Sequence, residues 1–192
     1  MQRSNAYLRI KAKICYNLYM SNIVVRNATI KDAKDIATVH VLSWQSTYRG
    51  LMPDEMLDSL TIEGRTKRWT KMLEEPNPES TVIVAEQNNK IVGWASFGKN
   101  RDEDVDRITG ELWAIYAHPN SLGIGIGSLL MEYATKEMKQ QGYKKATLWV
   151  LTTNKKTRKW YEKKGWENEG KIKLDKRGDH ELHETRYQKK NI

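Results

Sequence analysis

The chain is poor in the residues that build disulfides and metal clusters. It has 192 residues but one cysteine, Cys15, which excludes an internal disulfide and a cysteine-based metal cluster. Its four histidines lack the spacing of metal ligands, so we expect no bound metal. No apolar run approaches the roughly 20 residues that span a bilayer. We therefore expect a soluble, cytoplasmic protein with no membrane association.

Aromatic and charged residues are plentiful. Seven Trp and nine Tyr can supply the apolar surface of a core, and the length suits one domain. The net charge of +9 raises the hypothesis of a nucleic-acid-binding protein. That class of protein needs exposed aromatic side chains among its basic residues. Trp149, Trp160 and Trp166 instead lie at positions typical of a core, so we expect no nucleic-acid partner.

The first 22 residues differ in composition from the rest. Positions 1–20 contain basic residues and no acidic ones, and their helical pattern is weak. Three interpretations fit: a poorly ordered extension, a targeting peptide, and sequence upstream of a start at Met20. We favour the extension, place the domain at 23–192, and expect 1–20 to be dispensable.

Hydrophobic patterning predicts alternating strands and helices. Alternating or continuous apolar runs predict strands, and apolar residues at helical spacing predict helices. The predicted strands are Ile23–Arg26, Thr81–Glu86, Ile91–Phe97, Leu112–Tyr116, Ala146–Leu151, Trp166–Leu174 and His183–Lys190, the last two joined by a turn at Asp175–Asp179. Helices are predicted after Thr29, at Pro53–Leu60 and Ile62–Glu75, from Gly125 to about Gln141, and at Asn154–Lys164. This order predicts an α/β (α+β) fold, a mixed central sheet of six to seven strands with helices on both faces.

A strand, a glycine-rich turn and a helix follow one another within Gly110–Leu130. The first turn of a helix has N–H groups without intrahelical partners, and glycine lets the backbone approach a phosphate closely. Gly123, Gly125 and Gly127 lie just before this helix. We therefore predict a phosphate-bearing ligand at Leu122–Ser128. The lysine of a Walker loop and the spacing of a dinucleotide fingerprint are both absent from this segment.

Two segments carry a family resemblance. Leu122-Gly123-Ile124-Gly125-Ile126-Gly127 resembles the acyl-coenzyme A loop of the GNAT N-acetyltransferases, although Leu122 and Ile124 stand where polar or basic residues are usual. Leu148–Trp166 resembles the family's strand, asparagine, helix and Tyr-Glu-Lys-x-Gly-aromatic segment. The resemblance covers Ile23 to about Lys189. It implies the GNAT acyltransferase fold and direct acetyl transfer from acetyl-CoA to a primary amine of a small molecule or a protein.

The resemblance also implies how acetyl-CoA binds. The strand that bears Ile115–Ala117 is expected to splay from the strand that bears Leu148–Leu151, which exposes backbone groups to pantetheine and to the thioester carbonyl. Asn154 is expected to bond to the cofactor arm, to cap its helix, or to do both. The residues expected to bind the co-substrate are Ile115, Tyr116, Ala117, Leu122, Gly123, Ile124, Gly125, Ile126, Gly127, Ser128, Asn154 and Tyr161.

Each implied catalytic role has a structural alternative. Tyr161 resembles the general acid that protonates the departing sulfur, or it is a core tyrosine packed under Trp166. Glu111 lies eleven positions before Leu122, the spacing of the catalytic glutamate in the histone-acetyltransferase branch. It is therefore a candidate base whose pKa a closed cleft could raise, or else a surface glutamate on an edge strand.

The acceptor side is less determined by the sequence. Trp44 and Tyr48 are expected to line the acceptor pocket, or to be core aromatics. The basic residues of the last helix, Lys155, Lys156, Arg158 and Lys159, are expected to form a solvated face rather than to bind phosphate. A non-catalytic acyl-CoA sensor or subunit of the same fold is the alternative function. The sequence leaves open the identity of the amine and whether the protein is a homodimer.

Overall fold

A single mixed sheet forms the centre of the molecule. The computed structural model describes residues 22–177 and 180–192, so nearly all of the proposed N-terminal extension lies outside the described residues. The described chain forms seven strands in the order β1-β2-β3-β4-β5-β7-β6. These are β1 Ile23–Asn27, β2 Ser80–Gln87, β3 Lys90–Lys99, β4 Thr109–Ala117, β5 Lys145–Leu151, β6 Glu167–Arg177 and β7 His180–Lys190. Neighbours are antiparallel except β4 and β5, which are parallel.

Helices cover both faces of the sheet, as predicted. The described α-helices are α1 Ala33–Tyr48, α2 Asp54–Asp58, α3 Ile62–Glu74, α4 Ile126–Gln140 and α5 Lys155–Lys163. Residues of α1 and α3 bury one core against β2 and β3. Residues of α4 and α5 bury a second core on the opposite face, against the central strands. The fold class predicted from the patterning is confirmed.

The helix α4 lies unusually close to β3 because Gly93 has no side chain. A Cβ atom at this position would come within 2.7 Å of the Ile126 side chain and 2.9 Å of the Tyr116 carbonyl oxygen. Real side chains do not tolerate such distances. The close approach fixes the start of α4 against the C-terminal half of β4, where the glycine-rich turn lies.

The last hairpin is longer than the sequence predicted. Its strands extend to Arg177 and begin at His180, whereas the turn was expected to occupy Asp175–Asp179. Asp175 pairs with Leu182 and Lys176 with Glu181 in the ladder. These residues are polar because the hairpin end faces solvent, yet their backbone groups pair regardless of side chain. Polarity was therefore wrongly taken as a sign of a turn.

Asp32 ties the entry of α1 to the edge of the sheet. Its carboxylate accepts two hydrogen bonds from the Arg26 guanidinium, both 2.8 Å long. It also accepts one from the backbone N–H of Thr29, at 2.7 Å. The hydrogen bond from Arg26, opposed in part by burial, holds the pKa of Asp32 below its ordinary value.

This lowered pKa makes the stability of the fold depend on pH. Asp32 stabilises the folded state above its unfolded pKa of about 3.9, and this contribution is lost as pH falls towards the lower folded value. We expect Asp32→Asn to cost about 1–2 kcal/mol at pH 7 and progressively less below about pH 4. Urea unfolding across pH measures this difference. Asp35→Asn, an exposed change in the first turn of α1, serves as control. A cost that stays constant down to pH 2.5 would contradict the prediction.

Candidate active site

The central strands β4 and β5 separate halfway along their length. Their pairing covers three residue pairs and ends at Glu111 and Thr147. On its other side β4 stays paired with β3, but Trp113 is an extra residue opposite the Ser96/Phe97 step. Such a bulge bends the strand that contains it. Although β4 is central, its residues from Trp113 to Ala117 are partly exposed. The splay expected from the resemblance is therefore present, and we call the opening the β4–β5 cleft.

The glycine-rich turn lies at the same end of β4. Gly125 caps α4 with a φ of 95°, a left-handed conformation that favours glycine. The Leu129 N–H is bonded to the Gly125 carbonyl at 3.0 Å. Among the described residues, no acceptor is recorded for the N–H groups of Ile126–Ser128. Leu122 is 54% exposed beside them. The turn thus has backbone donors without a partner among the described residues, an arrangement that suits an anion.

Asn154 lies at the C-terminal end of β5, across the cleft from β4. Its side-chain oxygen accepts a 3.1 Å hydrogen bond from the Thr157 N–H, so Asn154 caps α5. The residue is buried. The cap uses the oxygen and leaves the amide nitrogen as a donor. The helix-cap role is therefore confirmed, and the contact with the cofactor arm stays a prediction.

Tyr161 projects from α5 into the core. It is 7% exposed, and its ring lies 6.1 Å from that of Trp166 and 6.3 Å from that of Tyr187. Burial, with a smaller contribution from Tyr48, raises the pKa of Tyr161 above its ordinary value. A hydroxyl in this state keeps its proton at any ordinary pH. The packing alternative is correct for the ring, and it does not conflict with a role for the hydroxyl.

A second tyrosine hydroxyl was missed by the sequence analysis. The Tyr48 and Tyr116 oxygens are 3.1 Å apart, which joins the end of α1 to β4 at the cleft. The pKa of Tyr116 is raised well above 10, first by burial and then by Tyr48, with a further contribution from Tyr161. The sequence predicted only a backbone role for Tyr116. Alternation along β4 could have shown that its side chain points towards α1.

Trp44 and Tyr48 differ in their surroundings. Trp44 is 8% exposed and packs against His40, with ring centroids 5.4 Å apart. The Arg65 guanidinium covers the Trp44 ring at 5.7 Å. Tyr48 is partly exposed. The burial of Trp44 favours the core alternative for that residue, whereas Tyr48 lies where an acceptor could reach it.

Glu111 is held by an arginine. It is 1% exposed on the central strand β4, so the alternative of a surface residue on an edge strand is wrong. The Arg101 guanidinium donates to its two oxygens at 2.5 and 2.9 Å, and the Arg101 backbone N–H donates at 3.1 Å. Because both oxygens are occupied, the geometry disfavours proton abstraction by this carboxylate. Its role as a base stays a prediction, now with a structural argument against it.

The loop at 100–108 is fastened to the sheet by ion pairs. Arg186 of β7 is 2% exposed and donates to Asp102 at 3.0 Å, to Asp104 at 2.6 Å, and to Glu169. Hydrogen bonds from Arg186 and Lys171 lower the pKa of Asp104. Local sequence patterns gave no sign of these contacts. Together with the Arg101–Glu111 pair, these contacts position the loop beside the point where β4 and β5 part.

The basic residues of α5 do not all face solvent. Lys155, Lys156 and Lys159 are exposed, as expected. Arg158 departs from the expectation, since it donates to the Tyr187 hydroxyl at 3.1 Å and to the Thr152 carbonyl at 2.9 Å. Helical spacing places position 158 between the exposed and buried sides, where a long side chain can turn inward.

A pocket of about 790 Å³ lies between the end of α1 and the start of β7. Its described lining contains three carboxylates, one histidine and no lysine or arginine. The lining residues are Gly50, Leu51, Met52, Pro53, Asp54, Glu55, His180, Glu181 and Leu182. Tyr48, the last residue of α1, precedes this lining by two residues in the chain. Acidic walls of this kind suit a positively charged ligand.

The described residues contain no group of three or more His, Cys, Asp or Glu side chains arranged to hold a metal ion. None of the described helices has the length and apolarity required to cross a bilayer.

Comparison with known proteins matches most of this chain to one family. Residues 39–166 match the model of the acetyltransferase (GNAT) family. The uncharacterised N-acetyltransferase YuaI of Bacillus subtilis is 31% identical over 132 residues, which are 69% of this chain and 73% of the relative. A spermidine N(1)-acetyltransferase of Thermoplasma acidophilum is 26% identical over 153 residues, or 77% of this chain and 90% of the relative. The crystal structure of PaiA N-acetyltransferase from T. acidophilum with coenzyme A has a TM-score of 0.66 at 22% identity, covering 88% of this chain and 98% of that one.

Proposed function

The chain belongs to the acetyltransferase (GNAT) family, which transfers an acetyl group from acetyl-CoA, and on that premise we propose how its cleft carries out the reaction. The acetyl thioester enters the β4–β5 cleft, and a primary amine approaches from the pocket beside Tyr48. One observation carries this proposal. The open backbone donors of the glycine-rich turn and the unpaired part of β4 lie at the same end of one strand. Acetyl-CoA is an intracellular metabolite, which supports a cytoplasmic location for the reaction.

The backbone of the chain is suited to hold the co-substrate. Beyond Glu111 the side of β4 that faces β5 is unpaired among the described residues, so Ile115–Ala117 can bond to pantetheine and to the thioester carbonyl. The N–H groups from Gly123 to Ser128 receive the pyrophosphate, favoured by the dipole of α4. Asn154 reaches the cofactor arm with its amide nitrogen. Backbone donors do not depend on side-chain identity, so Leu122 and Ile124 are tolerated there.

The chemistry needs a neutral amine, stabilisation of the oxyanion and a proton for the leaving sulfur. The amine nitrogen attacks the carbonyl carbon while β4 backbone N–H groups stabilise the charge on oxygen. Tyr161 supplies the proton to the thiolate, because burial keeps its hydroxyl protonated. Arg101 and Glu111 position the loop and β4 rather than exchange protons.

The acceptor that suits the pocket is a primary amine with a second positive charge. Asp54 and Glu181 are each paired with a cation, at 3.1 Å from Arg49 and 3.4 Å from Lys176. Glu55 has no ion pair among the described residues. An uncompensated carboxylate at this position favours a diamine or polyamine over an amino acid, whose carboxylate it would repel. The name of the T. acidophilum relative, which specifies spermidine, supports the same class.

A panel of three amines tests the acceptor class. We expect kcat/KM for spermidine to exceed that for benzylamine, which has no second charge, and that for glycine, which has a carboxylate. Glu55→Gln should lower kcat/KM for spermidine about two- to fivefold, the size of an exposed ion pair, and leave benzylamine unchanged. Release of free thiol measures these rates, and Glu63→Gln on the exposed surface of α3 is the control. Faster acetylation of glycine than of spermidine would contradict the acceptor class.

Substitution of Gly125 tests the cofactor site. Gly125→Asp places a carboxylate among the N–H groups proposed to bind the pyrophosphate, so the Kd for acetyl-CoA should rise at least about tenfold, or 1.4 kcal/mol. Gly142→Asp is a matched control, because Gly142 at the other end of α4 has the same φ of 95°. Both variants strain the backbone, but only the first opposes the phosphates. Isothermal titration with acetyl-CoA separates them, and an equal loss of affinity in both variants would contradict the site.

A further inference from the structure

The segment that carries Glu55 is attached to the end of α1 by backbone hydrogen bonds. The Tyr48 carbonyl oxygen accepts from the Leu51 N–H at 2.8 Å and from the Met52 N–H at 2.9 Å. Both donors belong to residues that line the pocket of about 790 Å³. Glu55 lines the same pocket from the first turn of α2. The end of α1 therefore fixes where this wall of the pocket begins.

Side-chain contacts hold α2 itself against α1. The Gln45 side-chain amide donates to the Leu57 carbonyl oxygen at 3.2 Å, and Leu57 is buried. Arg49, which follows α1, pairs with Asp58 at 2.7 Å, although this pair is exposed and contributes little. Glu55 lies within α2, so its position follows that of the last turn of α1.

The Tyr48 hydroxyl joins the same end of α1 to β4. It lies 3.1 Å from the Tyr116 hydroxyl oxygen, within hydrogen-bond distance. The Tyr116 ring is stacked on His40 at 5.9 Å and lies 5.3 Å from the Trp94 ring, which fixes its side chain on β4. Tyr116 is also the central residue of Ile115–Ala117, the segment proposed to hold the thioester. One residue of α1 thus bonds to the pocket wall through its carbonyl and to the thioester strand through its hydroxyl.

We propose that the Tyr48–Tyr116 hydrogen bond is a specificity determinant that sets the distance between Glu55 and the acetyl group, an inference that rests on the function proposed above. A diamine has two nitrogens whose separation is limited by the carbon chain between them. When one ammonium is paired with Glu55, the other nitrogen, as the neutral amine, reaches the thioester only if the chain length matches this distance. The tyrosine pair therefore selects acceptors by length, and it acts by positioning.

The hydrogen bond adds a constraint that ring packing does not supply. Hydrophobic contacts are non-directional, whereas a hydrogen bond restricts both distance and angle. The Trp44 and Tyr116 rings pack with centroids 6.3 Å apart, which keeps α1 near β4 without fixing the position of its end. Removal of one hydroxyl of the pair therefore leaves α1 packed on the sheet and allows its end to shift, together with the pocket wall that it carries.

Linear diamines of increasing length test this inference. With ethylenediamine, putrescine, cadaverine and hexamethylenediamine as acceptors, each kcat/KM is divided by that for benzylamine, which has no second charge. We expect the wild-type ratios to peak at one length, about two- to fivefold above the others, the size of an exposed ion pair. Tyr116→Phe and Tyr48→Phe should each flatten this peak, because each removes one hydroxyl of the pair. Thiol release measures the rates.

A double-mutant cycle with Glu55 identifies the path of the effect. If the tyrosine pair acts by placing this carboxylate, adding Tyr116→Phe to the Glu55→Gln variant should not change the ratios further, because the group that the pair positions is already gone. Tyr133→Phe is the matched control. It removes a hydroxyl from α4, which packs on the opposite face of the sheet, and it should retain the wild-type peak.

The outcomes separate this inference from the proposed function. A Tyr116→Phe protein with the wild-type length profile would overturn the inference, even if its rates were uniformly lower. The same conclusion would follow from a wild-type protein that acetylates all the diamines without a length preference, although the proposed function would then stand. A wild-type protein that binds acetyl-CoA but releases no thiol with any of these amines would overturn both. Urea unfolding of each variant shows whether the measured rates are those of folded protein.

Discussion

Replacement of Tyr161 by phenylalanine is expected to lower kcat at least about a hundredfold, within the range of roughly 10²–10⁴ for a general acid. The substitution removes the only proton of the side chain that the leaving sulfur can use. Acetyl-CoA affinity should change less than about twofold, since the ring contacts with Trp166 and Tyr187 remain. Thiol release gives kcat, and isothermal titration with acetyl-CoA gives the Kd.

Tyr187→Phe is the matched control for this loss. Tyr187 is also buried and neighbours Tyr161, but its hydroxyl is already engaged, since it accepts from Arg158 at 3.1 Å and donates to Glu162 at 2.9 Å. We expect Tyr187→Phe to lose about 1 kcal/mol of stability and to keep kcat within a few-fold. A Tyr161→Phe protein that retains full activity would show that Tyr161 serves only to pack the core. Water would then have to protonate the thiolate.

Replacement of Arg186 by methionine should destabilise the fold by about 3 kcal/mol. This value is the lower end of the range observed when one partner of a buried ion pair is removed. The methionine fills the space but leaves three carboxylates, Asp102, Asp104 and Glu169, without their common cation. The lower end applies because Asp104 is half exposed and can regain water. Urea unfolding measures the loss.

Lys190→Met provides the comparison on the same strand. Lys190 pairs with Glu167 across the same β6–β7 ladder at 3.0 Å, but both side chains are more than half exposed. Exposed pairs contribute about 0–1 kcal/mol. If the two variants proved equally stable, the carboxylates around Arg186 would have to be solvated in the folded protein, and the loop at 100–108 would have to be held by other contacts.

Local patterns predicted the elements well because the core residues obey them. The strands with continuous apolar runs, β2 to β5, and the helices with a clear apolar face were placed within a few residues. The splay of β4 from β5 came from the resemblance alone, since no pattern within β4 marks Trp113 as the bulged residue. The polar hairpin was placed less well, because its side chains face solvent and its pairing depends on the backbone.

The contacts that define the site could not be predicted in this way. The Tyr48–Tyr116 bond joins residues 68 positions apart, and the Arg186–Asp102 pair spans 84. Each depends on which side chains the sheet and helices bring together, and not on local spacing. Glu111 shows the difference most clearly. Its spacing in the sequence suggested a base. In the structure, the Arg101 guanidinium donates two charged hydrogen bonds to that carboxylate.

The short contact between β4 and β5 divides the sheet into two parts. One part contains β1 to β4, the other contains β5 to β7, and three residue pairs join their backbones directly. A ligand in the β4–β5 cleft would bond to both parts and so replace the missing ladder. Acetyl-CoA would then act as a structural element that bridges the two parts of the sheet, and a ligand that binds only the folded state raises its stability by mass action. The resistance of this protein to unfolding and to proteolysis would rise and fall with the acetyl-CoA concentration of the cell.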